Sequence, residues 1–340
     1  MEQVAGHIPL AGLEPETLEK LLSERGIEHR YSYRLLYWIY KKGIESFSQV
    51  NDIPKSVLTR ISEYFETGLF RPESSSKSAD GTIKYLFRNK AGLLYETVYL
   101  PEEKRNTVCV SSQSGCRMGC RFCATGLNGW SGDLTAGEII NQVISLPVKA
   151  SHIVMMGMGE PGDNIGEVIK ALRIFTSEWG LAKGRSRITV STVGILPSLE
   201  RLLNETDCNL TLSLHSPFPE ERRRFIPCES RWPVKDAIEM IKNFRALKGR
   251  RFTAAYVMVK GINDTDVHLE GLKMLLSGSK IRVNLLPYHP YTNDSYSSSD
   301  PERMMMFKHI LVTSGIEASV RRSRGSDIEA ACGMLAAKKK

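Results

Sequence analysis

Long apolar runs are missing from this sequence of 340 residues: none approaches the roughly 18 residues that a membrane span requires. The first ten residues contain Glu2 and His7 and no basic segment before a hydrophobic stretch, so they do not predict a signal peptide. Both absences favour a cytoplasmic protein without a membrane partner. Apolar residues form 41% and charged residues 25% of the chain, which is typical of a globular protein.

Cysteine is scarce as well. The seven cysteines are few for a disulfide-stabilised chain of this length, and their number is odd. Three are grouped, as Cys116, Cys120 and Cys123, which indicates a metal site or a reactive thiol instead of structural disulfides. We interpret Cys208 and Cys228 as ordinary thiols.

Acidic residues are outnumbered by basic ones, which leaves a net charge of +8. Basic residues cluster at 222–224, at 321–324 and in the tail at 338–340. Such clusters suit a polyanionic partner such as RNA, whose phosphates attract basic proteins independently of base sequence. Taken alone, the charge favours the simpler explanation of a solvated basic surface.

Hydrophobic periodicity divides the chain into regions. Apolar residues at helical spacing predict a helical module over about 13–67. The serine-rich stretch from Pro72 to Gly81 is interpreted as a linker, with strands expected over 82–87 and 93–99. From residue 107 onward, about six strand–helix units predict a parallel sheet or open barrel with its chemistry at the C-terminal strand ends. The expected domains are a helical RNA-binding accessory domain at 1–75, a β-extension or linker at 76–106, and a barrel at 107–340.

The segment from Gly115 to Cys123 carries the strongest chemical signal. Its spacing, Cys-x3-Cys-x2-Cys, lets three thiolates of one loop hold three irons of a [4Fe–4S] cluster and leaves one iron open. A structural zinc ion normally has four protein ligands, so Cys109 or a histidine would have to supply the fourth. The motif therefore favours a cluster, with zinc as the alternative.

A second motif, Met155 to Pro161, directly follows an apolar strand. Its glycines, including Gly159, allow the backbone to approach a ligand closely. Glu160 can accept a hydrogen bond from an ammonium group. A Gly-x-Gly turn alone is weak support for a site, but its position one strand after the cysteine motif strengthens it.

A third motif, Arg-Gly-Ser-Asp-Ile-Glu-Ala-Ala-Cys-Gly at 324–333, contains Cys332. An arbitrary cysteine would most simply be a buried structural thiol. Together, however, the three motifs resemble those of the bacterial radical S-adenosylmethionine rRNA and tRNA adenine methyltransferases, which include adenine-C2 and adenine-C8 enzymes. The resemblance covers most of the chain, from 37–43 through 109–113 to 284–287.

This resemblance implies an α/β fold: a partial (βα)6 TIM-like barrel with an N-terminal helical accessory domain. It also implies one [4Fe–4S] cluster with three cysteine ligands, and S-adenosylmethionine as cofactor, two molecules per turnover. The implied partners are 23S rRNA, with tRNA as a further candidate, and an electron donor such as flavodoxin or ferredoxin. The resemblance leads us to expect a monomer.

Three catalytic residues follow from the resemblance. Cys332 would first be methylated, and a 5′-deoxyadenosyl radical would then convert its methyl group into a carbon radical that adds to adenine. Glu96 matches the family's proton acceptor. Cys109 matches the thiol that resolves the RNA adduct, which leaves a transient Cys109–Cys332 disulfide.

Further residues match the family's cofactor site less directly. The matching strand-end residues are Ser191, Ser213, Leu214 and His215. His289 stands where the family usually has asparagine, and the Pro227-Cys228-Glu229 segment stands where Pro-x-Asn is common. Such departures leave the RNA target open. Methylation at C2 is the favoured hypothesis, methylation at C8 or another RNA site the second, and a non-catalytic zinc-bearing RNA-binding protein the remote third.

Overall fold

A computed structural model describes residues 6–103, 105–290 and 296–337. In these ranges no helix is both long and apolar enough to cross a membrane. The N-terminal part contains, in chain order, β1 (Ile8–Pro9), α1 (Pro15–Ser23), α2 (Ser32–Tyr37), α3 (Lys55–Ser62) and β2 (Phe65–Glu66). Strands β1 and β2 pair in parallel and tie the two ends of this module together.

Apolar side chains at helical spacing bury the inner faces of these helices, as the sequence predicts. Leu18 and Leu22 lie one turn apart on α1, and Leu35 and Ile39 do so around the end of α2; all four are fully buried. A wider turn follows α2 and ends at Gly43, whose φ of 66° is a left-handed conformation that favours glycine.

The serine-rich stretch is not a linker, and this prediction is wrong. Ser74–Lys77 forms strand β3, which pairs antiparallel with β4 (Ile83–Arg88), and β4 pairs antiparallel with β5 (Leu94–Leu100). Strand β3 lies at the edge of the sheet and is mostly exposed. Because neither face of β3 is buried, its sequence lacks the alternation of apolar residues by which a strand is recognised.

The remaining strands complete a ten-stranded sheet in the order β14-β13-β12-β11-β10-β9-β6-β5-β4-β3. The strands after β5 are β6 (Thr107–Val110), β7 (Gln113–Gly115), β8 (Trp130–Asp133), β9 (His152–Met155), β10 (Ile188–Thr192), β11 (Asn209–Ser213), β12 (Phe252–Met258), β13 (Ile281–Pro287) and β14 (Ala318–Val320). Strands β7 and β8 form a separate antiparallel pair. In the ten-stranded sheet, the seven strands β6 and β9 to β14 are all parallel to one another.

Helices alternate with the parallel strands. They are α4 (Ala124–Leu127), α5 (Ala136–Ile144), α6 (Ile165–Thr176), α7 (Leu196–Glu205), α8 (Pro219–Phe225), α9 (Val234–Asn243), α10 (Asp266–Leu276) and α11 (Pro301–Thr313). Six strand–helix units within the described residues confirm the predicted α/β barrel fold. The sequence reading missed α4, α8 and the β7–β8 pair, which are short and lack a clear apolar period.

The strand β10 shows how the parallel strands place residues on two faces. On β10, Ile188 and Val190 are fully buried, whereas Thr189 and Ser191 are partly exposed. Thr189 and Thr211, on the adjacent strands β10 and β11, line a cavity inside the barrel. Since side chains point alternately to the two faces of a strand, the apolar set packs against the helices and the polar set faces the lumen.

The C-terminal segment, residues 321–337, spans the gap between the two edges of the sheet. Arg324 donates to the carbonyl oxygens of Pro101 and Asp80. Asp327 accepts hydrogen bonds from Ser78 Oγ at 2.6 Å and from the backbone N–H of Ala79 at 3.1 Å. The turn after β3 is thereby joined to the chain that follows β14, and the barrel is closed on its open side.

We expect Asp327→Ala to loosen this closure, because two donors at the turn lose their acceptor. Backbone amides of residues 326–337 should then exchange with deuterium faster than in the native chain. Asp236→Ala removes an aspartate that makes no side-chain hydrogen bond or ion pair in the described residues, and it should leave the exchange of 326–337 unchanged. Equal exchange in both variants would contradict the assigned closure.

Candidate active site

The cysteine loop, Cys116–Cys123, connects β7 to α4 and is fixed by backbone hydrogen bonds at several points. The N–H of Cys116 donates to the oxygen of Gly129 at 2.8 Å, and the N–H of Arg121 donates to the oxygen of Phe225 at 3.0 Å. Cys116 and Cys120 are buried and Cys123 is partly buried. The loop therefore presents its three free thiols from a defined backbone.

Two glycines make this backbone path possible. Gly115 has a φ of 79°, and a Cβ there would lie 2.0 Å from the oxygen of Gly129. A Cβ on Gly126 would lie 2.8 Å from the nitrogen of Cys120. Both contacts are with backbone atoms, so any side chain would displace the cysteine loop or the helix behind it.

Burial controls the protonation of the loop thiols. It raises the pKa of Cys116 to about 12 and, together with the charge of Cys123, raises the pKa of Cys120 well above its usual range. The thiols of Cys116 and Cys120 are therefore neutral until positive charge is placed beside them. The irons of a cluster supply such charge, and binding would release protons.

The three thiols of the cysteine loop are candidates for holding a [4Fe–4S] cluster. No three His, Cys, Asp or Glu side chains in residues 6–103, 105–290 and 296–337 converge as ligands of one metal ion would. Cys116, Cys120 and Cys123 nevertheless lie on one short loop, and the charges of Cys123 and Cys116 raise the pKa of Cys120. A polynuclear cluster bonds each thiolate to a different iron, so it does not require the three sulfurs to meet at one point.

The glycine-rich turn after β9 packs directly on the strand that leads to the cysteine loop. A Cβ on Gly159, whose φ is 96°, would lie 2.6 Å from the Cβ of Gln113. A Cβ on Gly157 would lie 2.7 Å from the Oγ of Ser111. The sequence placed both glycines in a ligand-binding turn, and the structure shows that close packing between neighbouring strands also requires them.

Glu160 is buried in this turn, and its carboxylate is already engaged. Oε1 accepts from the N–H of Gly162 at 2.8 Å and from Thr192 Oγ1 at 2.5 Å, and Oε2 accepts from the N–H of Val193 at 2.9 Å. Desolvation nevertheless raises the pKa of Glu160 to about 7. Oε2 retains capacity for a further donor, which is what an ammonium ligand needs.

The strand-end residues differ in what they can offer a ligand. Ser191 and Ser213 are partly exposed on the inner face of the sheet. Leu214 has a fully buried side chain, its N–H donates to the oxygen of Ala255, and its oxygen accepts from Arg222. Ser191 and Ser213 thus present hydroxyls to the lumen, whereas the polar groups of Leu214 are occupied.

His215 links the cysteine loop to strand β12. Its Nδ1 accepts from the N–H of Val257 at 2.9 Å, and its ring meets the ring of Phe122 edge-on at 4.7 Å. Burial, with a contribution from Arg222, lowers the pKa of His215 to about 3. The imidazole is therefore neutral and serves as a rigid support for the loop.

Arg222 is a site residue that the sequence reading missed. It is fully buried and donates to the oxygens of Val193 at 2.8 Å and Ser213 at 2.7 Å, and it forms an ion pair with Glu229. The basic run 222–224 suggested a surface, and no sequence signal separated Arg222 from its neighbours. Glu229 supplies the counter-charge to Arg222.

Cys332 lies beside the cysteine loop because the C-terminal segment docks there. The oxygen of Gly333 accepts from the N–H of Ala124 at 2.7 Å, and the oxygen of Leu335 accepts from Thr125 Oγ1 at 2.6 Å. Water reaches Cys332, although the protein that surrounds it still raises the pKa of its thiol. These features fit a side chain at the wall of an open cavity.

Cys109 and Cys332 are close enough to interact electrostatically. Burial is the main cause of the raised pKa of Cys109, and the charge of Cys332 adds to it; the charge of Cys123 likewise raises the pKa of Cys332. Both thiols are free. The fold therefore gathers a strand thiol, a C-terminal thiol and the cysteine loop, which are far apart in sequence.

Glu96 holds the end of the C-terminal segment. Its Oε2 accepts from the N–H groups of Ala336 at 2.9 Å and Ala337 at 3.1 Å, and its Oε1 lies 3.2 Å from Lys84 Nζ. His289 lies beside the same segment, with its Nε2 2.7 Å from the Oγ of Ser323. Both residues thus border the segment that carries Cys332.

Comparisons with known proteins agree with this geometry. Residues 110–269 match the family model of the radical SAM superfamily. The chain is 42% identical to the probable dual-specificity RNA methyltransferase RlmN of Parabacteroides distasonis, over 97% of both chains. It is 37% identical to the dual-specificity RNA methyltransferase RlmN of Halorhodospira halophila, over 98% of this chain and 95% of that one.

A solved structure gives the same result. The crystal structure of a radical SAM methyltransferase from Sphaerobacter thermophilus matches with a TM-score of 0.92 and 36% identity, over 97% of this chain and 100% of that one. Fold and sequence together define a radical SAM enzyme of the methyltransferase class. Within that class, the chain belongs to the RlmN family of dual-specificity RNA methyltransferases.

Replacing Gly126 by alanine should impair cluster loading, because the new Cβ meets the backbone of Cys120 at 2.8 Å. We expect less iron per chain after anaerobic reconstitution, with little change in helix content. Gly166→Ala is the matched control, since nothing lies within 4 Å of a Cβ at that helical position. Full iron loading of the Gly126 variant would refute this role of the close contact.

Proposed function

We propose that this enzyme methylates the C2 carbon of adenosine in 23S rRNA and in tRNA, by way of a methyl group carried on Cys332. The observation that carries the proposal is the meeting of Cys332, Cys109 and the cysteine loop at one end of the barrel. Full-length similarity to enzymes named dual-specificity RNA methyltransferases supports an RNA substrate. The net charge of +8 suits such a partner.

The chemistry of the target explains why a radical route is needed. C2 of adenine lies between two ring nitrogens and is electron-poor, so it is a poor nucleophile toward a methylsulfonium. When bound, a [4Fe–4S] cluster with S-adenosylmethionine supplies the methyl group and a radical able to abstract a hydrogen atom. Cys116, Cys120 and Cys123 would hold the cluster, and two molecules of S-adenosylmethionine would be consumed per turnover.

Further residues would orient S-adenosylmethionine. Glu160 would accept from its ammonium group through the remaining capacity of Oε2. The hydroxyls of Ser191 and Ser213 would contact it from the inner face of the sheet, and Gly159 would allow close approach of the backbone. A contact from His289 requires that this side chain leave Ser323, with which it is hydrogen-bonded.

Cys332 and Cys109 would perform the covalent steps. The sulfur of Cys332 carries the methylene that becomes bonded to the adenine carbon. The thiolate of Cys109 then attacks the sulfur of Cys332, the sulfur–carbon bond breaks, and the freed methylene takes up a proton. A Cys109–Cys332 disulfide remains, and a reductant must open it before the next turnover.

Glu96 would accept the proton that leaves the adenine carbon, and the unpaired electron of the radical adduct would leave at the same stage and return to the bound cluster. Its carboxylate is held by Lys84 and by two backbone N–H groups of the C-terminal segment. A protonated carboxyl is a weaker acceptor than a carboxylate, so proton transfer to Glu96 would loosen the segment at Ala336 and Ala337. Proton transfer and movement of the segment are thus coupled in this proposal.

Residues 1–75 would form an RNA-binding accessory domain. Tyr33 and Tyr37 are exposed on its surface, and Lys42 lies over the ring of Tyr37 at 5.6 Å. Exposed aromatic rings beside basic groups suit unpaired bases and phosphates. The other proposed conditions are a cytoplasmic location, action as a monomer and a flavodoxin- or ferredoxin-type electron donor.

Replacing Cys332 by alanine should reduce methyl transfer to RNA by more than about a thousandfold, because the covalent carrier is lost. Iron content should remain normal, since Cys332 is not a proposed cluster ligand. Cys208→Ala changes a buried thiol elsewhere in the fold and should retain activity. Transfer of labelled methyl groups, followed by nucleoside mass spectrometry, measures the effect and separates C2 from C8 products; undiminished transfer by Cys332→Ala would defeat the mechanism.

The affinity for S-adenosylmethionine should rise as the pH increases through about 7, where Glu160 loses its proton. The carboxylate attracts an ammonium group and the neutral acid does not, so we expect a change of about tenfold over two pH units. Equilibrium binding to anaerobic, cluster-loaded enzyme measures it. Glu160→Gln should abolish the pH dependence, whereas exposed Glu178→Gln should preserve it; a pH profile unchanged by Glu160→Gln would reject the assignment.

A further inference from the structure

The cavity that Thr189 and Thr211 line inside the barrel has a volume of about 320 Å³. Its lining comes mainly from the beginnings and middles of the parallel strands, and Met156 and Arg321 lie just past the ends of β9 and β14. We call it the lower cavity. Its positively charged or titratable lining residues are Arg105, His152, Arg251, Arg282 and Arg321. None of the proposed cluster, cofactor or thiol residues lines it.

The lower cavity has a large excess of positive charge. Glu317 is the one carboxylate in its lining, and Glu317 is paired with Arg282 at 2.9 Å. In the part of the chain that the structure describes, no carboxylate lies within ion-pair distance of Arg105, Arg251 or Arg321. Three guanidinium groups thus line one cavity without a carboxylate partner among the described residues, and Arg105 donates to Thr107 Oγ1 at 3.2 Å.

Burial and neighbouring positive charges both disfavour the protonated forms of Arg105 and His152. Desolvation lowers the pKa of Arg105, and the charges of Arg321 and Arg251 lower it further, against a smaller opposing effect of Glu102. Desolvation also lowers the pKa of His152, with Arg105 and Arg251 among the further causes. Like charges gathered in a restricted space are unfavourable unless an anion offsets them.

Neutral donors complete the lining. Thr189, Thr211 and Thr253 come from three neighbouring strands, and each projects into the lower cavity between the charged groups. A hydroxyl can donate to an oxyanion, and a guanidinium can do so through two parallel N–H groups. The combination of forked cations and hydroxyls suits a tetrahedral anion with several oxygens.

A groove on the outer surface adjoins the lower cavity. The groove has a volume of about 720 Å³ and shares Arg251, Arg282 and Glu317 with the lining of the lower cavity. Lys280 also lines the groove. The positive charge of this wall would attract an anion toward the lower cavity.

We propose that the lower cavity binds a phosphate group, held by Arg105, Arg251 and Arg321 and by the threonine hydroxyls around them. The phosphate belongs either to a free anion, such as inorganic phosphate or pyrophosphate, or to a nucleotide of bound RNA. A multiply charged oxyanion matches the excess of cations better than a monovalent carboxylate does. The RNA source rests on the proposed function, whereas the lining itself includes none of the proposed cluster, cofactor or thiol residues.

Calorimetric titration of cluster-loaded enzyme with inorganic phosphate and with pyrophosphate, without RNA or S-adenosylmethionine, tests the proposal. We expect saturable binding that Arg251→Ala weakens by about tenfold or more, the loss expected for a charge-assisted hydrogen bond. Arg105→Gln is a second variant with the same expected direction. Arg224→Ala, an exposed arginine outside both linings, should bind as the native enzyme does. Iron content and circular dichroism identify any variant that fails to fold.

A second arm distinguishes the source of the phosphate. If it belongs to RNA, Arg251→Ala should weaken binding of a single-stranded RNA oligonucleotide, and pyrophosphate should compete with that RNA. If the phosphate belongs to a free anion, neither Arg251→Ala nor added pyrophosphate should change RNA binding. Absence of saturable anion binding together with RNA binding that is insensitive to Arg251→Ala would overturn the proposal. Methyl transfer measured on the same preparations reports separately on the proposed function.

Discussion

The docking of the C-terminal segment across the open side of the barrel is the constraint on which the candidate active site depends. Arg324 and Asp327 attach the segment to the β3–β4 turn, and Gly333 and Leu335 attach it to α4. These contacts join residues from opposite ends of the sheet order. Without them Cys332 has no fixed position, because it lies outside the strands and helices that build the barrel. The same contacts therefore close the barrel and place the reactive thiol.

Behind the docked segment, buried polar groups keep the strand ends rigid. Arg222 satisfies carbonyl oxygens at the ends of β10 and β11, and Glu160 satisfies N–H groups in the turns after β9 and β10. Both are buried charges with internal partners, an arrangement that is costly to disturb. His215 completes the frame in its neutral form, because burial beside Arg222 opposes a second positive charge. A fixed frame of this kind holds the cysteine loop ready for a cofactor with little rearrangement.

The sequence predicted the barrel and the local motifs well, because both depend on short-range patterns. The alternation in Ile188–Thr192 and the spacing of Cys116, Cys120 and Cys123 are visible in the chain itself. Prediction from the sequence failed where tertiary contacts determine the structure. Strand β3 forms only because β4 lies beside it. Arg222 is buried, although it lies in the same basic run as exposed Arg224. The expectation that Cys109 and Cys332 lie close together came from the resemblance to a known family. No local pattern places two residues together across the width of a sheet.

The lumen of the barrel shows how one alternating pattern can provide two different environments. Polar residues recur on the inner face of the parallel strands from β9 to β13, beside apolar ones such as Val154. At the upper end the lining changes to serine hydroxyls and to thiols that burial keeps neutral. At the lower end it becomes arginine-rich because several strands begin near a basic residue, as with Arg105 before β6 and Arg251 before β12. Arg321 lies between the two ends, where it lines the lower cavity and also lowers the pKa of Cys332. The charge of Arg321 therefore affects the pKa of the Cys332 thiol. An anion bound among the arginines would offset that charge and so weaken the stabilisation of the Cys332 thiolate.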